Sequence, residues 1–137
     1  MFASARRAYE SSTKTTASSR DLESAALYKS ARQLEMVQQN WDATDRDARL
    51  EEALRYNQRL WTFFQAELEA PDCQLPAALR ANLLRLARFT DTRTFELLGR
   101  SERSRLQALI DINRNIAAGL ATPAQAPEET APSRAAA

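Results

Sequence analysis

Few side chains in this sequence could do covalent or acid–base chemistry. There is no histidine, which removes Ser–His and Cys–His relays, imidazole acid–base work near neutral pH and histidine-built zinc sites. Cys73 is the lone cysteine, so an intrachain disulfide and a cysteine metal cluster are both excluded. It falls between two predicted helices with no adjacent cation to activate its thiol. Neighbouring carboxylates such as Glu51 and Glu52 read as exposed helix positions. The sequence holds no acid–base pair, glycine-rich phosphate loop or metal-ligand spacing. The expectation is a protein that is not an enzyme and uses no cofactor or metal.

What remains is the chemistry of recognition. Arg80, Arg85, Arg88, Arg93, Arg100, Arg103 and Arg105 form a basic region that could meet RNA, but no aromatic stacking platform or known RNA module accompanies them. A solvated face with salt bridges is the better reading, and direct RNA binding the weaker one. Net charge is +3 over residues 1–20, −4 over 21–70, +3 over 71–120 and −1 beyond. Such alternation suits helices that attract one another rather than a single-sign nucleic-acid surface. Trp61 and Phe64 lie on one helical stripe and read first as core, or else as anchors for a partner helix. Tyr56, Phe63, Leu84, Phe95 and Leu98 widen the apolar stripes beyond one packing partner's need. Either those helices each touch two neighbours, or part of the surplus is exposed and marks a partner surface. Asn57 and Asn113 fall within apolar stripes. A buried amide without a partner costs ~1–3 kcal/mol, so the two either bond each other and fix helix register or meet polar groups of a partner.

The elements that must position these residues are helices. Ala and Leu number 26 and 17, whereas Val and Ile together number 4; this composition favours helix and leaves little for a sheet. Phe2, Ala5 and Tyr9 could share one side of a short amphipathic start. The hydroxyl-rich stretch 11–19 reads as a polar loop, with Ser18 or Ser19 capping a helix over about 20–41 whose stripe is Leu27, Ala31, Leu34, Val37 and Trp41. Thr44 and Asp47 resemble a capping box for a second helix, about 45–70. Its main stripe is Leu50, Ala53, Leu54, Asn57, Trp61, Phe64 and Leu68, and Pro71 stops it. A third helix opens at Leu75-Pro76, with proline in its first turn, and runs through Leu79, Leu83, Leu86 and Leu97 to Gly99 as a C′ residue. Ser101 starts a fourth, with Leu106, Leu109, Ile110, Asn113, Ile116, Ala117 and Leu120 on its stripe.

Residues 121–137 hold three prolines and no large apolar side chain, and read as a disordered tail. The fold class is therefore all-α: a small antiparallel bundle of about four helices over residues 1–120, followed by that tail. No apolar run approaches the ~20 residues needed to span a bilayer. Arg6-Arg7 is followed by no apolar signal core. The expectation is a cytoplasmic protein without membrane insertion.

Asn57-Gln58-Arg59-Leu60-Trp61, then Leu68, Leu75-Pro76, Leu79-Arg80 and Leu83, resemble the central signature of the flagellar biosynthesis regulator FlaF family. Leu109-Ile110-Asp111-Ile112-Asn113, Ile116 and Gly119-Leu120 resemble its C-terminal signature, and Ala8-Tyr9, Arg20, Glu23 and Leu34 fit its N-terminal pattern. The likeness spans nearly the whole chain; residues 11–19 and the Pro/Ala-rich tail depart from it. The resemblance implies a small helical cytoplasmic protein of flagellated α-proteobacteria, needed for flagellin production and export and acting opposite FlbT, a repressor of flagellin mRNA translation. It implies no catalytic residues. The implied role is a flagellin-binding export chaperone; the alternative is a regulator acting on flagellin mRNA, directly or through FlbT. Flagellin's terminal segments are amphipathic helices, which a helix-in-groove contact would suit. Tyr56, Trp61, Phe63, Leu84, Phe95 and Leu98 are the candidate partner-binding residues.

Overall fold

The structure, a computed structural model, describes residues 2–121, with the side chains of residues 19–121. Four α-helices fill the described residues: α1 Phe2–Gln39, α2 Arg46–Glu69, α3 Ala77–Gly99 and α4 Leu106–Ala121. One turn of 3-10 helix, Arg103–Arg105, precedes α4. None of these helices is long and apolar enough to cross a membrane. Of the tail expected over residues 121–137, Ala121 closes α4; the rest of it and the Phe2, Ala5 and Tyr9 side chains lie outside the described residues.

α1 runs unbroken through residues 11–19, where the sequence predicts a loop and a helix start near residue 20. Neither Gly nor Pro occurs between residues 2 and 39. Ser and Thr each lower helix propensity by at most ~0.7 kcal/mol, and extending a formed helix needs no new nucleus. The other helix ends also differ from the expected caps. Asp45, not Thr44, precedes α2, and no side-chain cap bond forms; the Asp45 carboxylate instead accepts Arg49 Nε at 2.5 Å. Pro76 caps α3 from outside rather than sitting in its first turn. Gly99 is the last helical residue, and no glycine among the described residues has positive φ. Ser101 is not a cap either, since Glu102 precedes the 3-10 turn that leads into α4.

Two apolar clusters give the helix directions. The first joins Ala31, Leu34 and Val37 of α1 with Leu50, Ala53 and Leu54 of α2, Leu97 of α3 and Leu106, Leu109 and Ile110 of α4. The second joins Leu27, Trp61, Phe64, Ala87 and Ala117. The end of α1 thus lies beside the starts of α2 and α4 and the end of α3, so successive helices are antiparallel. Full burial of one side chain such as Leu54 contributes ~1.5–3 kcal/mol. α1 packs most heavily on α4 and then on α2, and α2 packs on α3; α3 and α4 hardly touch.

Polar contacts fix the corners. Arg46 stacks 4.2 Å above the Trp41 ring at the α1–α2 turn. Arg103 Nε donates to the Gln38 carbonyl at 2.8 Å, supplying a partner near the end of α1. The Arg80 guanidinium donates to the Leu68 carbonyl near the end of α2, tying α3 to the helix before it.

Candidate functional site

Between the two apolar clusters lies a buried polar layer. Asn113 Nδ2 donates to Asn57 Oδ1 at 2.8 Å and to Ser30 Oγ at 3.1 Å. Ser30 Oγ donates to Asn57 Oδ1 at 2.9 Å, and Trp61 Nε1 donates to Asn113 Oδ1 at 2.8 Å. Ser30, Asn57 and Asn113 are wholly inaccessible to solvent. The layer joins α1, α2 and α4 side chain to side chain. A pairing shifted by one turn would strand several of these groups in apolar surroundings, at ~1–3 kcal/mol each. Asn57 and Asn113 therefore face one another inside the bundle rather than lining a cleft.

The candidate partner-binding residues divide. Trp61 is not a surface anchor. It is 2 % exposed, set edge-on against Phe64 with ring centroids 5.7 Å apart, and its indole N–H is spent on Asn113. The core claims it because it lies on the central line of α2's buried stripe. Tyr56, Leu84 and Leu98 are half-buried. Leu98 packs against the first cluster, and Lys29 Nζ sits 5.1 Å from the Tyr56 ring centroid. Phe63 and Phe95 face solvent, at 53 % and 74 % exposure.

Leu22, Tyr28 and Met36 on α1 and Phe89 on α3 are further exposed apolar side chains outside the stripes read from the sequence, and Leu79, which the sequence puts on the third helix's stripe, is exposed as well. The signal was available for α1. At 100° per residue, Leu22 and Met36 fall about 40° apart and well off the Leu27–Val37 stripe. Phe89 lies beneath Arg93, whose guanidinium is 4.9 Å from its ring centroid.

A second feature that the sequence did not disclose is a cleft of about 110 Å³ at the end of the bundle where α2 and α4 finish and α3 begins. Trp61, Phe64, Leu68, Leu75, Leu83, Ile116 and Leu120 line it, with Glu23 and Glu67. The Glu23 carboxyl is pushed up to about 7 by burial, by its hydrogen bond with Glu67 and by the negative charge there; Arg20 opposes the rise. Glu23 thus tends to keep a proton that an exposed glutamate would release.

Several arginines of the basic region are engaged within the chain. Arg93 donates to the Arg105 carbonyl at 3.1 Å, and Arg105 pairs with Glu96 at 3.2 Å. Arg80 and Arg103 hold helix-end carbonyls, and Arg85 bonds Asn82 at 2.7 Å. These side chains serve inter-element packing and solvated pairing.

Compared with known families, residues 5–120 match the one described as Flagellar protein FlaF. No curated protein and no solved structure matches the chain.

Proposed function

The chain belongs to the FlaF family of flagellar proteins, and on that premise we propose that it is a non-enzymatic cytoplasmic chaperone for flagellin export. It binds flagellin before export, and its occupancy links export to flagellin synthesis. The observation that carries this reading is the exposure of Phe63 and Phe95. Phe63 touches the Phe64 ring, but the exposed part of each phenylalanine adds little to the chain's own fold, whereas exposed apolar surface serves to bind amphipathic helices. Burial of exposed apolar surface yields ~25 cal/mol per Å², and neighbouring charged residues set orientation.

The experiment is capture of the tagged chain from the cytosol of a flagellated host, probed at once for flagellin, FlbT and flagellin mRNA. Flagellin as the retained species supports the reading. Retention of FlbT without flagellin would replace it by an adaptor role. Retention of the mRNA, weakening steeply with salt, would replace it by direct RNA regulation.

A further inference from the structure

We propose that the cleft between the start of α3 and the end of α4 is a docking groove for a partner helix that carries an apolar ridge and, beside it, a lysine or arginine. This rests on the partner-binding function above and adds to Phe63 and Phe95 a second point of contact.

The geometry begins with an open side of the bundle. α1 packs on α4 and α2, and α2 packs on α3, but α3 and α4 hardly meet. Each nevertheless turns apolar residues toward that side at helical spacing. Leu79, Leu83 and Leu86 recur along α3, and Ile112, Ile116 and Leu120 along α4. Leu79 is 45 % exposed and the other five are half-buried. Leu86, Ile112, Ile116 and Leu120 pack against the second core cluster, so the groove continues the core outward. Its floor is Trp61 and Phe64, and its volume of about 110 Å³ is several times the ~10–15 Å³ that holds a single water. An apolar side chain from outside would fill it.

Charge selects the occupant. Glu23 and Glu67 stand on the wall, close enough to hydrogen-bond, and burial together with the neighbouring Glu67 disfavours ionisation of Glu23. Arg20 is the cation acting on Glu23; the remaining lining residues from α2, the α2–α3 link, α3 and α4 carry no charge. A lysine or arginine delivered at the rim would take the place of the proton on Glu23 and pair with the two carboxylates. This chain's own residues 121–137 do not fit. They contain no large apolar side chain, and they carry Glu128 and Glu129.

The test uses the full chain and two synthetic amphipathic peptides of about 18 residues with leucine at helical spacing, one with lysine and one with glutamate on the polar face. Titration is followed by amide NMR shifts at Leu83, Ile116 and Leu120, beside Glu67→Lys as a rim variant with an exposed side chain. The lysine peptide is expected to shift those amides and to bind about tenfold or more tightly than the glutamate peptide. Glu67→Lys should reverse that order. Equal binding of the two peptides, shifts confined to other helices, or an unchanged order in Glu67→Lys would overturn the proposal. So would concentration-dependent self-association that blocks these amides, because the occupant would then be a second copy. Flagellin capture by the same proteins separates the two readings. Groove binding of the lysine peptide without flagellin capture refutes the chaperone role and leaves the groove standing. Flagellin capture unaffected by Glu67→Lys overturns the groove and leaves the chaperone role.

Discussion

Replacing Asn113 by leucine tests the buried polar layer. The amide makes three bonds: it accepts from Trp61 Nε1 and donates to Ser30 Oγ and Asn57 Oδ1. Leucine keeps the branching of the side chain but is bulkier, and it removes all three; in a layer this buried the extra bulk can only add to the loss. Ser30 still donates to Asn57, so the group fully stranded is the indole N–H of Trp61, 2 % exposed. A stranded buried donor costs ~1–3 kcal/mol, and the two other lost bonds ~0.5–1.5 kcal/mol each. Leucine's greater hydrophobicity offsets part of that, which leaves a net loss of about 3 kcal/mol. Urea unfolding followed by far-UV circular dichroism measures it. At a slope of ~1.5 kcal/mol per M, the midpoint should fall by about 2 M. Asn57→Leu should cost less, because Asn57 Nδ2 already lacks a partner and its removal returns some stability. The two substitutions should couple in a double-mutant cycle. Asn113→Leu as stable as the parent would refute the reasoning, since the layer would then contribute no more than an apolar core.

Three further outcomes follow from particular residues. Glu23 is raised in the folded state from 4.5 to about 7, so folding takes up a proton between those values. Its contribution is complete below the lower value and fades as pH rises through the upper one. Discounted for partial exposure, that loss is about 1 kcal/mol between about pH 5 and pH 8, and urea midpoints should show it in the parent and not in Glu23→Gln. Gly119 lies inside α4, and a Cβ there meets nothing within 4 Å, so Gly119→Ala should raise stability by ~0.5–1 kcal/mol in thermal unfolding. A fall would place a backbone constraint at that position. Phe95→Asp should unfold within ~0.5 kcal/mol of the parent, because Phe95 is 74 % exposed; a larger loss would mean that its ring packs.

Much of the fold was legible because helical periodicity is a local property. The main stripe read for the second helix, from Leu50 to Leu68, is the buried set of α2 residue for residue. Leu27, Ala31, Leu34 and Val37 are likewise buried on α1. Asn57 and Asn113 stood out as amides within apolar stripes, and that anomaly was the signal for their contact. Helix ends were less legible. Thr44, Gly99 and Ser101 have the residue types of caps, yet the termini fall elsewhere, since tertiary contacts such as Arg80 to the Leu68 carbonyl supply partners that local sequence does not show. The hydroxyl-rich stretch 11–19 is helical because its propensity deficit is modest and no Gly or Pro interrupts the helix. The surface was half legible: of the residues that widen the stripes Phe63 and Phe95 are exposed, while Trp61 is in the core and exposed Leu22 and Met36 lie off every stripe. The cleft was beyond reach. It arises where α3 and α4 fail to meet, and Glu23 and Glu67 are brought together only by the packing of α1 on α2.

The most direct test of the account is a titration of purified flagellin with the parent chain and with the folded double variant Phe63→Asp, Phe95→Asp. Saturable binding by the parent and about a tenfold or greater loss in the double variant, with circular dichroism unchanged, are expected if the exposed phenylalanines hold flagellin. Binding of equal strength by both proteins would contradict it.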